Sequence, residues 1–172
     1  MTSDAKADAE SVARAVVLRR LAAAPRTRAQ LAEDLVAREV PDEVAARLLD
    51  RFTEVGLVDD AAFAETWVRS RRASRGLSRH ALTHELRQKG VDDQTVQEAV
   101  AEIDADEERA AATSLVIRRL ATTRGLDPEV RTRRLVAMLG RKGYSSGLAA
   151  AVVRDALSRE PTADRDGGHS LR

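Results

Sequence analysis

The chain has 172 residues, a net charge of +1 and no cysteine, which excludes disulfides and thiolate metal sites and fits a cytosolic location. No stretch holds the roughly 20 consecutive apolar residues of a membrane helix, so no membrane partner is expected. Ala, Leu, Val, Arg and Glu dominate, while the few Gly and Pro fall where helices would start or stop, which predicts an all-α fold.

Met1 to Glu10 is polar and acidic, lacks an apolar signal core, and reads as a disordered leader, residues 1–10. A first helix is expected from Val12 to Ala23, carrying Val16, Val17 and Leu21. Thr27-Arg-Ala-Gln30 is a capping box that opens a second helix. That helix places Leu31 and Leu35 on one face, with Val40 just beyond its end. Pro41-Asp42-Glu43 suits the first turn of a third helix, where acids meet the positive helix end. Gly56-Leu-Val-Asp-Asp60 then ends one helix, with Asp59 or Asp60 capping the next.

The same layout returns twice. A helix from Ala61 to Arg75 carries Phe63, Ala64, Trp67 and Val68; Ser78 opens a core helix with Leu82, Leu86 and then Val91; Asp92 caps a third helix. In the last copy the first helix runs from Glu108 to Thr122 with Leu115, Ile117 and Leu120. Leu135, Leu139 and Tyr144 repeat the core pattern, and Ser145 or Ser146 caps the final helix. Leu31, Leu82 and Leu135 stand 51 and 53 residues apart. Lys89-Gly90 and Lys142-Gly143 close the core helices of copies two and three, with Gly in the left-handed position and Lys at the negative helix end. Copy one has Arg38-Glu39 there and departs from the pattern by lacking the Gly. The expected organisation is three tandem three-helix units, 11–57, 58–104 and 105–160, with about nine helices and no strand. Units this small should pack on one another as an elongated, curved helical repeat. Residues 161–172 read as a disordered tail.

Charge is arranged in blocks. Arg69 to Lys89 holds seven basic residues and one acid, Asp92 to Glu108 eight acids and no base, and Arg109 to Lys142 nine bases and two acids. The candidate partner-binding residues are Arg69, Arg72, Arg75, Arg79, Arg87 and Lys89 in copy two. In copy three they are Arg131, Arg133, Arg134, Arg141 and Lys142. Arg71 and Arg75 flank the Trp67 face closely enough to cover it with their stems. A solvated helix face is the competing reading for all of them; the functional one is contact with phosphate or with an acidic protein groove.

Chemistry is poorly represented. His80 and His84 share a helix face, but their surroundings are basic, no third ligand is evident, and a metal is not expected. Phe52, Phe63, Trp67 and Tyr144, the only aromatics, sit in apolar register, which argues against a base-stacking platform. No nucleophile and base pair, Gly-rich phosphate loop or carboxylate dyad is present. The reading is therefore a binding protein, not an enzyme, with no cofactor.

The stretch Gly56-Leu-Val-Asp-Asp-Ala-Ala-Phe63-Ala-Glu-Thr-Trp67-Val-Arg-Ser-Arg71, continuing through Leu82, Leu86 and Lys89-Gly90-Val91, resembles the signature of the bacterial RecX regulatory proteins. The layout matches over Val12 to Leu157 and is most specific between Leu49 and Val100. The resemblance implies a negative regulator of the RecA recombinase, a monomer that lodges in the groove of the RecA filament on single-stranded DNA and inhibits ATP hydrolysis and strand exchange. Double-stranded DNA is a further candidate partner. Two alternatives compete: a helical DNA-binding protein that acts without RecA, using Ser78 to Lys89 and Arg131 to Lys142 as recognition helices, and a helical scaffold for another protein. Tetratricopeptide repeats fit neither the helix count nor the period of about 34 residues.

Overall fold

The computed structural model describes residues 3–160, with side chains from residue 7. Among these the order is α1 (Ser3–Ala23), α2 (Arg28–Val36), α3 (Asp42–Glu54), α4 (Asp60–Arg75), α5 (Arg79–Gln88), α6 (Asp93–Ala99), α7 (Ala105–Leu120), a 3-10 turn (Ala121–Thr123), α8 (Pro128–Arg141) and α9 (Ser146–Ser158). There is no strand among the described residues. Three separate apolar cores form, one for each set of three helices. The chain divides into two compact bodies after Ile103: α1 to α6 make the first, α7 to α9 the second.

The repeated leucines are the centre of each core. Leu31, Leu35, Leu82, Leu86 and Leu139 are wholly buried and Leu135 nearly so. Each such side chain contributes about 1.5–3 kcal/mol by leaving water. The third apolar position, Val40, Val91 or Tyr144, is buried beside them by one recurrent turn. Its amide donates back to Leu35, Leu86 or Leu139, at 3.2 Å in every copy. Gly90 and Gly143 hold the left-handed position with φ of 76° and 87°. Copy one makes the same turn without glycine: Glu39 takes φ 57°, at a cost of about 1–2 kcal/mol.

Caps set the helix starts. Thr27 and Gln30 form the reciprocal capping box, and Asp59, Ser78, Asp92 and Ser145 each accept from a first-turn amide. Four boundaries differ from the sequence reading. The segment expected as a disordered leader is helical from Ser3, because alanines alternate there with no Gly or Pro to stop the helix, and Ala9 packs against the first core. Pro41 is the N-cap of α3 rather than a first-turn residue. The first helix of copy three ends at Leu120, and a 3-10 turn carries the chain on. The core helix of copy three starts a turn before Arg131, at Pro128, with Asp127 as its cap. Met1, Thr2 and the tail, residues 161–172, lie outside the described residues.

The first body is locked by one joint between its two units. The buried Thr27 hydroxyl donates to the Lys89 carbonyl at 2.6 Å. The Arg28 amide donates to Asp60 Oδ1 at 2.8 Å, so Asp60 serves the start of α2 while Asp59 caps its own helix. Burial raises the pKa of the Asp60 carboxyl above its usual range; the Arg28 amide opposes that shift, and the negative charge of Asp92 adds to it. Gly90 touches Ala29 so closely that a Cβ there would overlap the Ala29 Cβ.

Candidate partner-binding surface

Three of the six candidates in copy two, Arg75, Arg87 and Lys89, lie against the Trp67 ring or in ion pairs. Trp67 stacks on Phe63, with ring centroids 5.7 Å apart, and its indole N–H donates to Glu85 Oε2 at 2.9 Å. Glu85 also faces Arg71 Nε and Arg75 Nη1, each at 3.6 Å. The Arg71 guanidinium and the Lys89 ammonium each stand 4.1 Å from the indole centroid, within cation–π range. The ring is therefore covered by Arg71, as its flanking position suggested, and by Lys89, while Arg75 pairs with Glu85, and it offers no face for a base. Arg87 Nε pairs with Asp93 Oδ1 at 2.7 Å across the α5 to α6 turn. Arg72 and Arg79 are half-buried, and Arg69 is exposed with no ion pair among the described residues.

Copy three sorts differently. Arg131 is turned inward, its side chain 14% exposed. Its Nε donates to Thr123 Oγ1 at 3.0 Å, and its Nη2 donates to the Leu120 carbonyl at 3.2 Å and pairs with Glu160 Oε2 at 2.6 Å. It ties α8 to the end of α7 and to the end of α9, and is a structural residue by geometry. Arg133, Arg134 and Arg141 are exposed and form no ion pair among the described residues; Lys142 is half-buried. Together with Arg119 from the last turn of α7, these three arginines line a cleft of about 690 Å³ with Leu135 and Met138 among its lining. Sequence reasoning missed Arg119 and Met138. The signal available was the spacing of Arg134, Met138 and Arg141, which places all three on one side of α8.

Other features carry no chemistry. His80 and His84 are exposed, and no group of three or more His, Asp or Glu is arranged to hold a metal among the described residues. The adjacent acids Asp59 and Asp60 are accounted for by the two helix starts that they cap. No described helix is long and apolar enough to cross a membrane.

Family models of the first, second and third three-helix domains of RecX match residues 13–52, 59–100 and 106–153. The regulatory protein RecX of Thermobifida fusca (strain YX) is 58% identical over 158 residues, covering 92% of this chain and 85% of the relative. That of Streptomyces coelicolor is 54% identical over 148 residues, covering 86% and 79%. Among solved structures, RecX from Lactobacillus salivarius superposes with a TM-score of 0.77 at 17% identity, over 88% of this chain and 99% of that one. A second regulatory protein RecX gives 0.73 at 23% identity, over 88% and 74%. At these identities the two structures speak for the fold.

Proposed function

The chain belongs to the RecX family of regulatory proteins, a non-enzymatic family, and from that premise we propose that it is a negative regulator of the RecA recombinase. It binds the RecA filament on single-stranded DNA and inhibits its ATP hydrolysis and strand exchange. The observation that carries this reading is the presence of all three RecX domains in order, at high identity to regulatory proteins over most of the chain. No reaction chemistry is needed, because preferential binding to one filament state suffices to shift its turnover. The contact falls to the basic faces of copies two and three, where charge orients the protein against phosphate or an acidic filament surface.

The test is RecA ATPase on single-stranded DNA with the protein titrated in. Reversing Arg69, Arg72 and Arg79 together to Glu should abolish inhibition while the far-ultraviolet circular dichroism stays unchanged. Full inhibition by that variant defeats the assignment of copy two, and a recombinase indifferent to the wild-type protein defeats the function. Binding to bare DNA that falls steeply with salt and needs no recombinase would favour the DNA-binding alternative instead.

A further inference from the structure

The repeats hold a second comparison, between their ion pairs. Copy one carries Leu18-Arg19-Arg20-Leu21 just before the end of its first helix at Ala23, and copy three ends its first helix with Ile117-Arg118-Arg119-Leu120. Arg20 and Arg119 are thus equivalent. In copy one Arg20 Nη2 pairs with Asp34 Oδ1 at 2.6 Å. Asp34 stands three residues after Leu31; the same place after Leu82 is Glu85, which pairs with Arg71 and Arg75. In copy three the place after Leu135 is Met138. The arginine has been kept and its carboxylate replaced by a thioether. Positions occupied by Ala29, Gln30 and Ala37 in copy one have become Arg133, Arg134 and Arg141. The result is the cleft of about 690 Å³, with four guanidinium groups, apolar side chains among its lining and no lining carboxylate.

We propose that this cleft is a binding site for an acidic polypeptide segment that carries an apolar side chain among its carboxylates. Guanidinium forks match carboxylates two bonds at a time. That alone fits phosphodiesters equally well, so the rest of the lining decides. A nucleic-acid backbone has nothing to place against Met138 and Ala137, whereas a leucine or valine side chain fills such a surface, and the flexible thioether adapts to its shape. Bases would need an aromatic platform, and no aromatic lines the cleft. The volume lies within the roughly 300–1,000 Å³ usual for binding pockets. Arg131 is a positioning residue here: by holding Thr123 and the Leu120 carbonyl it fixes the wall from which Arg119 projects. The proposal rests on the regulatory reading only for the source of the segment, and its test uses free probes, so the two fail separately.

The experiment is fluorescence anisotropy on the full chain with two labelled probes, a short peptide in which leucines are spaced by pairs of glutamates, and oligothymidine. The peptide should bind saturably, and Arg133→Glu with Arg134→Glu should weaken it about tenfold or more. Met138→Asp recreates the pairing of copy one, so it should abolish peptide binding without lowering the melting temperature. Met138→Ser removes apolar surface without adding charge; it should weaken the peptide about fivefold and leave oligothymidine unchanged. Absence of peptide binding at about millimolar protein, or peptide binding indifferent to the arginine pair and to Met138→Asp, overturns the proposal. Oligothymidine bound through the arginine pair, with Met138→Ser neutral toward both probes, overturns it too and makes the cleft a phosphate track.

Discussion

Replacing Gly90 by alanine should destabilise the first body by about 2–5 kcal/mol, and the size can be built from two separate causes. The residue sits at φ +76°, where an L side chain costs about 1–2 kcal/mol. Its new Cβ would also overlap the Ala29 Cβ. That methyl is short and fixed to the backbone of α2, so relief requires the start of α2 to move away from the end of α5, at about 1–3 kcal/mol. The movement would stretch the bond from the Thr27 hydroxyl to the Lys89 carbonyl. Gly56 provides the control. Its φ is +73°, and a Cβ there meets nothing within 4 Å, so Gly56→Ala should cost only the backbone share, about 1–2 kcal/mol.

Urea unfolding followed by Trp67 fluorescence measures both, since this is the only tryptophan and the Lys89 ammonium lies 4.1 Å from its ring. The excess of Gly90→Ala over Gly56→Ala is the worth of close packing at the joint. Adding Ala29→Gly to Gly90→Ala should recover that excess, less the roughly 0.5–1 kcal/mol that a helical glycine costs. Equal losses at Gly90 and Gly56, or no recovery in the double variant, would refute a joint built on contact between α2 and α5.

Two further perturbations separate structural charges from functional ones. Arg131→Ala should cost the second body about 1–3 kcal/mol in urea unfolding followed by circular dichroism, because it removes the shorter of the two arginine pairs of Glu160, leaving Arg124 at 3.5 Å, and leaves the Leu120 carbonyl only the Thr123 hydroxyl as a side-chain donor; a loss below about 0.5 kcal/mol would return Arg131 to the partner-binding set. Asp60 and Asp92 should titrate with opposite effects. The Asp60 pKa is raised, mainly by burial, so its favourable share of stability is present below the unfolded pKa near 3.8 and is lost as pH rises through the folded value. The Asp92 pKa is lowered by bonds from the Thr95 hydroxyl and amide, so its share is present above 3.8 and is lost as pH falls through the folded value. Between about pH 3 and pH 7, Asp60→Asn should therefore gain in melting temperature relative to wild type as pH rises, and Asp92→Asn should gain as pH falls; matching trends would refute the assignment.

The cores were legible because a helix must bury an apolar stripe, and leucines at i and i+4 followed by a turn have one efficient way to do so. The family signature was legible for a related reason: Gly56, Asp59, Phe63 and Trp67 each have a local job in capping or packing. Copy one shows the limit of reading turns from glycine alone. Glu39 accepts the left-handed conformation because Leu35 and Val40 are both buried by it, and the packing outweighs the strain. Asp60 could not be assigned locally, since its donor lies on α2 of the preceding unit.

The arginines of α8 were harder, because net charge does not distinguish a guanidinium that pays its own fold from one held for a partner. Alignment of the repeats does. The position four before Leu31 is Thr27, four before Leu82 is Ser78, and both are buried helix caps. Four before Leu135 is Arg131, and since Asp127 and Pro128 start that helix a turn earlier, the capping site has become an internal one. A charge placed in a buried slot of the repeat must find its acid within the fold, which Arg131 does at Glu160. Arg133, Arg134 and Arg141 replace residues that copy one leaves at least partly exposed, Ala29, Gln30 and Ala37. No acid of the fold is required to meet them, and none among the described residues does. Divergence at positions that the shared core leaves unconstrained is where a partner can impose its own chemistry, and in this chain that divergence concentrates on the outer side of α8.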